Sequence, residues 1–234
     1  MITFPLLNDL AVILGSLFNA LGFAVGVALY WYEAKRRKLA TAGMTRILVV
    51  GAIFGVLAAR IVERLAEGAP MGSLFDPLNG GRTIIGGVIG GWLFVEIAKR
   101  RMGIRVSTGP LWAVALPAGE AFGRIGCLIS GCCYGKKCDL PWAIPMHGEM
   151  RHPSQIYLAV SAALIFVIVW IMRDKTRVFP LYLALWSASR FTIEFFREPV
   201  TPTNGLSTAQ YACLGVFAVA VYLFKKPILE QAHE

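Results

Sequence analysis

Long apolar runs, separated by short polar stretches, set the hydrophobic pattern of this chain. Most of the runs are close to the length of about 20 residues that an α-helix needs to cross the hydrocarbon core of a bilayer. The pattern predicts seven helices, at about 8–33, 45–66, 83–100, 108–130, 153–172, 178–197 and 206–225. The predicted fold class is therefore all-α, a polytopic membrane protein with seven transmembrane helices.

The composition supports a membrane protein and leaves little length for anything else. Of the 234 residues, 56% are hydrophobic and only 16% are charged, and the mean hydropathy is +0.62. An ordinary soluble domain is more polar than this. We predict one transmembrane domain over residues 1–234, with a periplasm-facing loop at about 131–152. The first run has no basic residues ahead of it and no convincing cleavage site, which favours a retained helix.

The positions of the basic residues predict the orientation of the helices. The formal net charge is +9, and most of the 23 Lys and Arg residues follow the first, third, fifth and seventh predicted helices. Cytoplasmic loops collect such residues, so the N-terminus should face outward and the C-terminus the cytoplasm of a bacterial inner membrane. The charge then reports topology, and no nucleic-acid partner is expected. The clusters are Lys35, Arg36, Arg37, Lys38 and Arg46; Lys99, Arg100, Arg101 and Arg105; Arg173, Lys175 and Arg177; and Lys225 and Lys226.

Several charged residues lie inside the apolar runs. They are Arg60, Arg124 and Arg190, together with Glu96, Glu120 and Glu194. A charge near the bilayer centre costs at least about 2.5–3.5 kcal/mol, so these side chains should face a bundle interior or an aqueous cavity. The pattern predicts a polar chamber.

Two predicted helices carry charges at the spacing i, i+4 and i+7, which places them on one helical face. The sets are Glu120, Arg124 and Cys127, and Arg190, Glu194 and Arg197. One interpretation is structural, with each arginine neutralised by the glutamate of its own helix. The other is an anion site facing the outer leaflet, because a guanidinium binds phosphate oxygens in a bidentate way and does not deprotonate.

The glycine-rich stretch "GGVIGG" has two interpretations. The pairs Gly86 with Gly90 and Gly87 with Gly91 have the small-xxx-small spacing that lets helices approach closely. Alternatively, Gly81, Gly86 and Gly87 leave backbone amides free near a ligand headgroup at a helix N-terminus.

Four of the five cysteines fall within twelve residues, in "FGRIGCLISGCCYGKKC". Disulfides or inert thiols are one interpretation, since the loop is predicted on the oxidising side. Zinc is another because two histidines lie nearby, although the spacing is unusual for zinc. A reactive thiolate is the third, because neighbouring lysines lower a thiol pKa. The residues concerned are Cys127, Cys132, Cys133 and Cys138, with Lys136, Lys137, His147 and His152. For His152, capping a helix or orienting the loop is the structural interpretation.

Four motifs in order, "GGVIGG", "GRIGCLISGCCYG", "RHPSQIY" and "RFTIEFFREP", resemble the prolipoprotein diacylglyceryl transferases. The resemblance implies seven helices with the N-terminus outside. It implies an enzyme without cofactor that moves the diacylglyceryl group of phosphatidylglycerol onto the thiol of a lipobox cysteine and releases glycerol 1-phosphate. The implied partners are phosphatidylglycerol or another anionic phospholipid and a lipoprotein precursor.

Site residues follow from the resemblance and the polar pattern together. By position, Arg124 and Arg190 match the arginines on which the family's activity depends, Glu194 and Arg197 its supporting charges, and Gly135 the glycine that closes its "GRxGN" block. We predict catalytic roles for Arg124, Arg190, Glu194, Cys127 and His152. We predict substrate binding by Arg60, Gly86, Gly87, Gly135 and Arg197, and no metal.

The chain departs from the family pattern at several polar positions. Ile85 stands where the family has the histidine of "HGG", Cys127 replaces the asparagine of "GRxGN", and Cys132 replaces an acidic residue. A tyrosine of the first helix is also missing, around 14–16. Cys127 or His152 would then supply the base. Two other functions stay open, a non-catalytic protein that binds anionic phospholipid and a periplasm-facing thiol redox or metal site.

Overall fold

Helices make up most of the computed structural model, which describes residues 5–67, 84–103, 107–198 and 205–225. The described residues form seven helices and one short hairpin. The helices are α1 (Pro5–Arg36), α2 (Ala42–Glu67), α3 (Ile84–Arg101), α4 (Gly109–Ile129), α5 (Ser154–Ile171), α6 (Val178–Glu194) and α7 (Thr208–Lys225). The strands are β1 (Ile144–Met146) and β2 (Glu149–Arg151). The predicted helical class is confirmed, and each predicted helix has a counterpart.

Five helices of the described ranges are long and apolar enough to cross a membrane. These segments are Leu10–Arg36, Thr45–Val62, Gly109–Ile129, Ser154–Ile171 and Thr208–Lys225. The other two helices fall short for physical reasons. α6 has only 17 residues, and the last turns of α3 carry Glu96, Lys99, Arg100 and Arg101.

The chain divides into two compact units, residues 34–107 and residues 1–33 with 108–234. The smaller unit is the pair α2 and α3, which pack through glycine. A Cβ on Gly90 would lie 2.1 Å from the Cβ of Ala58, and a Cβ on Gly55 would lie 3.0 Å from the carbonyl oxygen of Gly87. Larger residues would push the helices apart, so the "GGVIGG" stripe serves helix packing, the first of its two interpretations.

In the larger unit, α4, α5 and α6 pack around an apolar core. Its buried members are Ala113, Val114, Ile165, Val169, Val178 and Tyr182. α1 packs on α4 through glycine as well, since a Cβ on Gly22 would lie 2.5 Å from the carbonyl oxygen of Gly119. The core occupies the first half of α4. The end of α4, the start of α5 and the end of α6 therefore meet at the opposite end of this core.

The loop between α4 and α5 is more ordered than the sequence predicted. The sequence predicted only a loop at about 131–152, but within it β1 and β2 pair antiparallel, with Met146 opposite Glu149. The two residues between them, His147 and Gly148, both have positive φ, 52° and 81°. Such a pair forms the tight turn that suits the twist of a hairpin, which explains the strands.

α6 ends at Glu194, earlier than the predicted boundary of 197. The physical reason is a competing backbone pairing. Lys136 N–H donates to the carbonyl oxygen of Phe196 at 2.9 Å, and Gly135 and Arg197 form an antiparallel bridge. Arg197 is therefore extended, and its backbone is fixed by the loop.

Candidate active site

Three arginines and two glutamates lie together at the end of α4 and of α6, and we call them the arginine cluster. Arg124 Nη2 lies 3.0 Å from Glu120 Oε1. Glu194 Oε2 is shared by two arginines, at 2.7 Å from Arg190 Nη1 and 3.1 Å from Arg197 Nη1. The spacing argument is thus confirmed for both arginine and glutamate pairs, with Arg197 reaching Glu194 from beyond the helix end.

The cluster carries one more arginine than carboxylate. The carboxylates are also held by other donors, because Trp186 Nε1 donates to Glu120 Oε2 at 2.8 Å and Ser207 Oγ lies 3.4 Å from Glu194 Oε1. Arg190 interacts electrostatically with both Arg124 and Arg197, so the three guanidinium groups are close in space. Structural pairing therefore accounts for two of the three positive charges and leaves a net charge of about +1 in a largely buried site.

Two guanidinium nitrogens of the cluster have no hydrogen-bond partner among the described residues. They are Arg190 Nη1 and Arg197 Nε, both buried. Arg190 Nη1 is near Glu194, but the angle is not that of a hydrogen bond. Buried donors are almost always satisfied in folded proteins, so unpaired ones indicate a place for an acceptor. The chemistry of these donors fits an anion with several oxygens, such as a phosphate.

A small cavity of about 10 Å³ adjoins the cluster between α4, α5 and α6. Glu120, Trp186 and Arg190 give it a polar wall, and Leu158, Ala162 and Ile165 an apolar one. This is about the room that a single water molecule needs, so the cavity as it stands does not hold a lipid.

Gly135 fixes the position of Arg197. A Cβ at this glycine would lie 2.5 Å from the Cβ and the carbonyl oxygen of His152, and 2.7 Å from the carbonyl oxygen of Phe196. The backbone at Gly135 passes between the segments that contain His152 and Phe196, and Gly135 N–H donates to His152 O at 3.1 Å. Only glycine fits there. The predicted importance of Gly135 thus has a positional basis, the close approach that holds the residues before and after Arg197.

Three of the loop cysteines form a cluster beside the arginines, which we call the thiol cluster. The Sγ atoms of Cys127, Cys132 and Cys133 all lie within 4.8 Å of one another. All five cysteines of the chain are free thiols in the structure, and Cys138 is not part of the cluster. Hydrogen bonds from the thiols of Cys127 and Cys132, together with the charges of Arg197 and Arg124, hold the pKa of Cys133 well below its usual value. This supports the thiolate interpretation at Cys133.

Ser154 and Gln155, which no residue-based argument had singled out, hold the backbone of the thiol cluster. Ser154 Oγ donates to the carbonyl oxygen of Cys133 at 2.8 Å, and Gln155 Nε2 donates to that of Cys132 at 2.6 Å. Both side chains are fully buried. The motif "RHPSQ" is one of those that carry the family resemblance. Its serine and glutamine, at the start of α5, anchor the backbone of Cys132 and Cys133.

His152 orients the loop and does not cap α5. The N-cap of α5 is Pro153, without a side-chain capping bond, so the capping interpretation is wrong. The His152 backbone donates to Lys136 O at 3.0 Å and accepts from Gly135 N–H, which confirms the orienting role. Its Nδ1 lies 3.2 Å from the Tyr157 hydroxyl, and its ring packs on Phe196. Its action as a base stays a prediction.

Three predicted substrate-binding residues, Arg60, Gly86 and Gly87, belong to the smaller unit. Arg60 is half-buried on α2. Gly86 is buried near the start of α3, and Gly87 lies against Gly55 of α2. The packing of Gly87 is sufficient to explain a glycine at that position. Contact of these three residues with a lipid stays a prediction.

Comparison with known proteins decides the family. The model of the family described as prolipoprotein diacylglyceryl transferase matches residues 2–225. The chain belongs to this family. Proteins named phosphatidylglycerol–prolipoprotein diacylglyceryl transferase from Nitratidesulfovibrio vulgaris (Hildenborough) and Methylococcus capsulatus are 31% and 30% identical to it. The alignments cover 96% and 100% of this chain and 96% and 98% of the relatives. A transferase of the same name from Clostridium tetani is 28% identical over 88% of the chain.

Family membership accounts for the arginine cluster better than for the thiol cluster. Arg124, Arg190 and Glu194 stand in the motifs that carry the resemblance, and the structure brings them together. Cys127 and Cys132 stand where the family pattern has an asparagine and an acidic residue. The thiol cluster is therefore the part of this site that departs from the transferase pattern.

Proposed function

We propose that this protein transfers the diacylglyceryl group of phosphatidylglycerol to the cysteine thiol of a prolipoprotein. The observation that carries the proposal is the arginine cluster. It has three largely buried guanidinium groups for two carboxylates, and buried nitrogens on Arg190 and Arg197 that make no hydrogen bond among the described residues. The reaction is the one stated in the names of the similar transferases. This reaction requires fixed positive charge around a phosphate, and the arginine cluster provides it.

The reaction is a nucleophilic displacement at the glycerol carbon that carries the phosphate. The acceptor thiol loses its proton, its sulfur forms a C–S bond, and the C–O bond to the phosphate breaks with its electron pair on oxygen. The leaving group is glycerol phosphate, a phosphate monoester. Negative charge grows on its oxygens as the bond breaks, and preorganised donors that stabilise developing charge lower the barrier. We assign this task to Arg124 and Arg190, with Arg197 in support.

Glu120 and Glu194 keep the guanidinium groups in place. A buried arginine without a carboxylate would turn towards water or towards the backbone, at a cost of several kcal/mol. Glu194 holds two arginines at once, at 2.7 and 3.1 Å. Glu120 is itself held by Trp186. The catalytic role of Glu194 is therefore indirect, as a positioning residue for Arg190 and Arg197.

We also infer that all seven helices cross a bacterial inner membrane, as one domain with the N-terminus outside. This includes α6, whose 17 residues are at the lower limit for a span, and α3, whose charged residues lie at its end. The basic residues that follow α1, α3, α5 and α7 support this orientation. Those in the described ranges include Lys35, Arg36, Lys99, Arg100, Arg101, Arg173, Lys175, Arg177 and Lys225; Arg105 and Lys226 lie outside these ranges. The arginine cluster and the loop 131–152 would then face the periplasm, where phosphatidylglycerol of the outer leaflet is accessible.

Labelling with a membrane-impermeant maleimide checks this orientation. In a background with all five cysteines changed to serine, Asp139→Cys and Thr176→Cys each place one thiol at an exposed loop position. We expect Asp139→Cys to be labelled in spheroplasts, and Thr176→Cys only after the membrane is permeabilised. Labelling of Thr176→Cys in intact spheroplasts would contradict the orientation.

A transfer assay tests the proposed function. Purified full-length protein is mixed with phosphatidylglycerol labelled in the diacylglyceryl group and a prolipoprotein peptide that contains the acceptor cysteine. We expect the label in the peptide and one glycerol phosphate released per labelled peptide. The same peptide with serine in place of the cysteine is the control and should stay unlabelled.

The outcomes separate this proposal from the alternatives. Absence of labelled acceptor, both with the peptide and with a membrane extract, together with absence of glycerol phosphate release, would overturn transfer. Native mass spectrometry that finds bound phosphatidylglycerol without turnover would instead favour a non-catalytic lipid-binding protein.

A further inference from the structure

The three sulfurs of the thiol cluster lie close enough together to form a metal site, although the spacing of the cysteines in the sequence is not typical of one. Structural zinc sites use pairs of cysteines with two to four residues between them. Here two ligands are adjacent in sequence and the third, Cys127, comes from the last turns of α4. The fold nevertheless brings the three Sγ atoms within 4.8 Å of one another. Three thiols this close form a cluster that needs only a small contraction to bind one ion.

The required contraction is small. Zinc binds thiolate at about 2.3 Å, so neighbouring sulfurs of a tetrahedral site lie about 3.8 Å apart. The separations in the cluster exceed this by at most about 1 Å. Cys132 is exposed, so its side chain has room to rotate towards the other two sulfurs. The ligand set is all sulfur, which suits soft or borderline d¹⁰ ions such as Zn²⁺ and excludes Mg²⁺ and Ca²⁺.

The backbone that carries two of the ligands is rigid. The carbonyl oxygens of Cys132 and Cys133 are held by the buried side chains of Gln155 and Ser154, at 2.6 and 2.8 Å. Cys133 has a φ of 59°, a conformation that is uncommon for a residue other than glycine. Side chains held on such a backbone are preorganised, because the anchoring residues have fixed it before any ligand binds.

We propose that Cys127, Cys132 and Cys133 bind one Zn²⁺ whose fourth position takes the acceptor thiol. The second half of this proposal rests on the proposed transferase function. Zinc sites with three protein ligands keep one position for water or substrate, and a thiol that coordinates zinc is deprotonated outright. The cluster would thus do the work of the missing base, since Ile85 stands at the family's histidine position.

The position of the cluster suits this task. Cys133 interacts electrostatically with Arg124 and Arg197, two members of the arginine cluster, and Cys127 interacts with Arg124. The zinc-bound sulfur would stand beside the phosphate of the lipid. In the step itself, the acceptor thiol releases its proton to solvent on binding zinc, its sulfur forms the C–S bond to the glycerol carbon, and the C–O bond breaks to release glycerol phosphate. The zinc keeps its oxidation state, and the product thioether, a weaker ligand, leaves the ion.

Metal binding is tested on the reduced, metal-free full-length protein in detergent, without lipid. Co²⁺ is added alone as a probe, and the thiolate-to-cobalt charge-transfer bands are recorded; Zn²⁺ is then used to displace it. We expect one ion per chain and tetrahedral cobalt bands. Cys127→Ser, Cys132→Ser and Cys133→Ser should each weaken zinc binding by more than about tenfold. Cys138→Ser and Cys213→Ser are matched controls outside the cluster and should bind as the unchanged chain does.

The fourth position is tested with the prolipoprotein peptide. Its addition should shift the cobalt spectrum by one more thiolate ligand, and the peptide with serine in place of cysteine should not. Removal of zinc should lower transfer at neutral pH, and added zinc should restore it. One bound ion with the peptide shift supports the site even if transfer fails, which would count against the proposed function alone.

Two results would overturn the proposal. If the unchanged chain binds Co²⁺ and Zn²⁺ no tighter than the triple serine variant at 127, 132 and 133, the thiol cluster is not a metal site. A bound ion without a peptide-induced shift, with transfer unchanged after zinc removal, would remove the role in activating the acceptor.

Discussion

Replacing Arg190 by lysine is expected to lower diacylglyceryl transfer by about 10²-fold, without unfolding the protein. Lysine keeps the positive charge beside Glu194, so the buried carboxylate is not left alone. It lacks the planar fork, however, and cannot place two donors on one phosphate. The measurement is kcat/KM with labelled phosphatidylglycerol, together with thermal unfolding in detergent to show that the variant is folded.

The matched control for this substitution is Arg100→Lys. Arg100 is exposed at the end of α3, and nothing assigns it to the arginine cluster. It should leave both transfer and unfolding temperature unchanged. Equal rates for Arg190→Lys and the unchanged chain would mean that Arg190 does not bind the phosphate. Loss of folding in Arg190→Lys would point instead to the structural interpretation of the pair with Glu194.

Gly135→Ala is expected to destabilise the protein and to abolish most of its activity. The added Cβ would lie 2.5 Å from two atoms of His152 and 2.7 Å from the Phe196 carbonyl oxygen. Backbone atoms must move to relieve such contacts, and overpacking of this kind costs roughly 1–3 kcal/mol. The displaced segment includes the bridge partner of Gly135, Arg197, so the anion site is disturbed at the same time.

Gly215→Ala is the control for a change of the same size. A Cβ at Gly215 meets no atom within 4 Å, and the residue lies in α7, where alanine is the better helix former. Its unfolding temperature should stay the same or rise. If Gly135→Ala matches this control in both unfolding temperature and transfer rate, the close approach at Gly135 does not hold Arg197 in place.

The hydrophobic pattern predicted the helices because their stability in a membrane depends on length and composition, which a sequence displays directly. The arginine and glutamate pairs were predictable for a similar reason. Residues four apart on a helix are neighbours whatever the tertiary structure, and Glu120 with Arg124 and Arg190 with Glu194 follow this rule.

Contacts between distant parts of the chain could not be predicted in this way. The extended position of Arg197 depends on backbone pairing with Gly135, and an i, i+7 spacing cannot reveal that competition with the helix. The hairpin Ile144–Arg151 depends on positive φ at His147, a conformation that is uncommon for any residue other than glycine. The tasks of Ser154 and Gln155 became visible only from their hydrogen bonds to the cysteine loop.

The bonds from Ser154 and Gln155 have a consequence for how this site can change over time. Both side chains bind carbonyl oxygens of the main chain, and neither binds the side chains of Cys132 or Cys133. Every amino acid offers the same carbonyl oxygen, so the anchored loop accepts different reactive groups without a new backbone. The backbone of this loop is thus fixed independently of its side chains. An acidic side chain can be replaced by a thiol there while the arginines of the cluster stay in place.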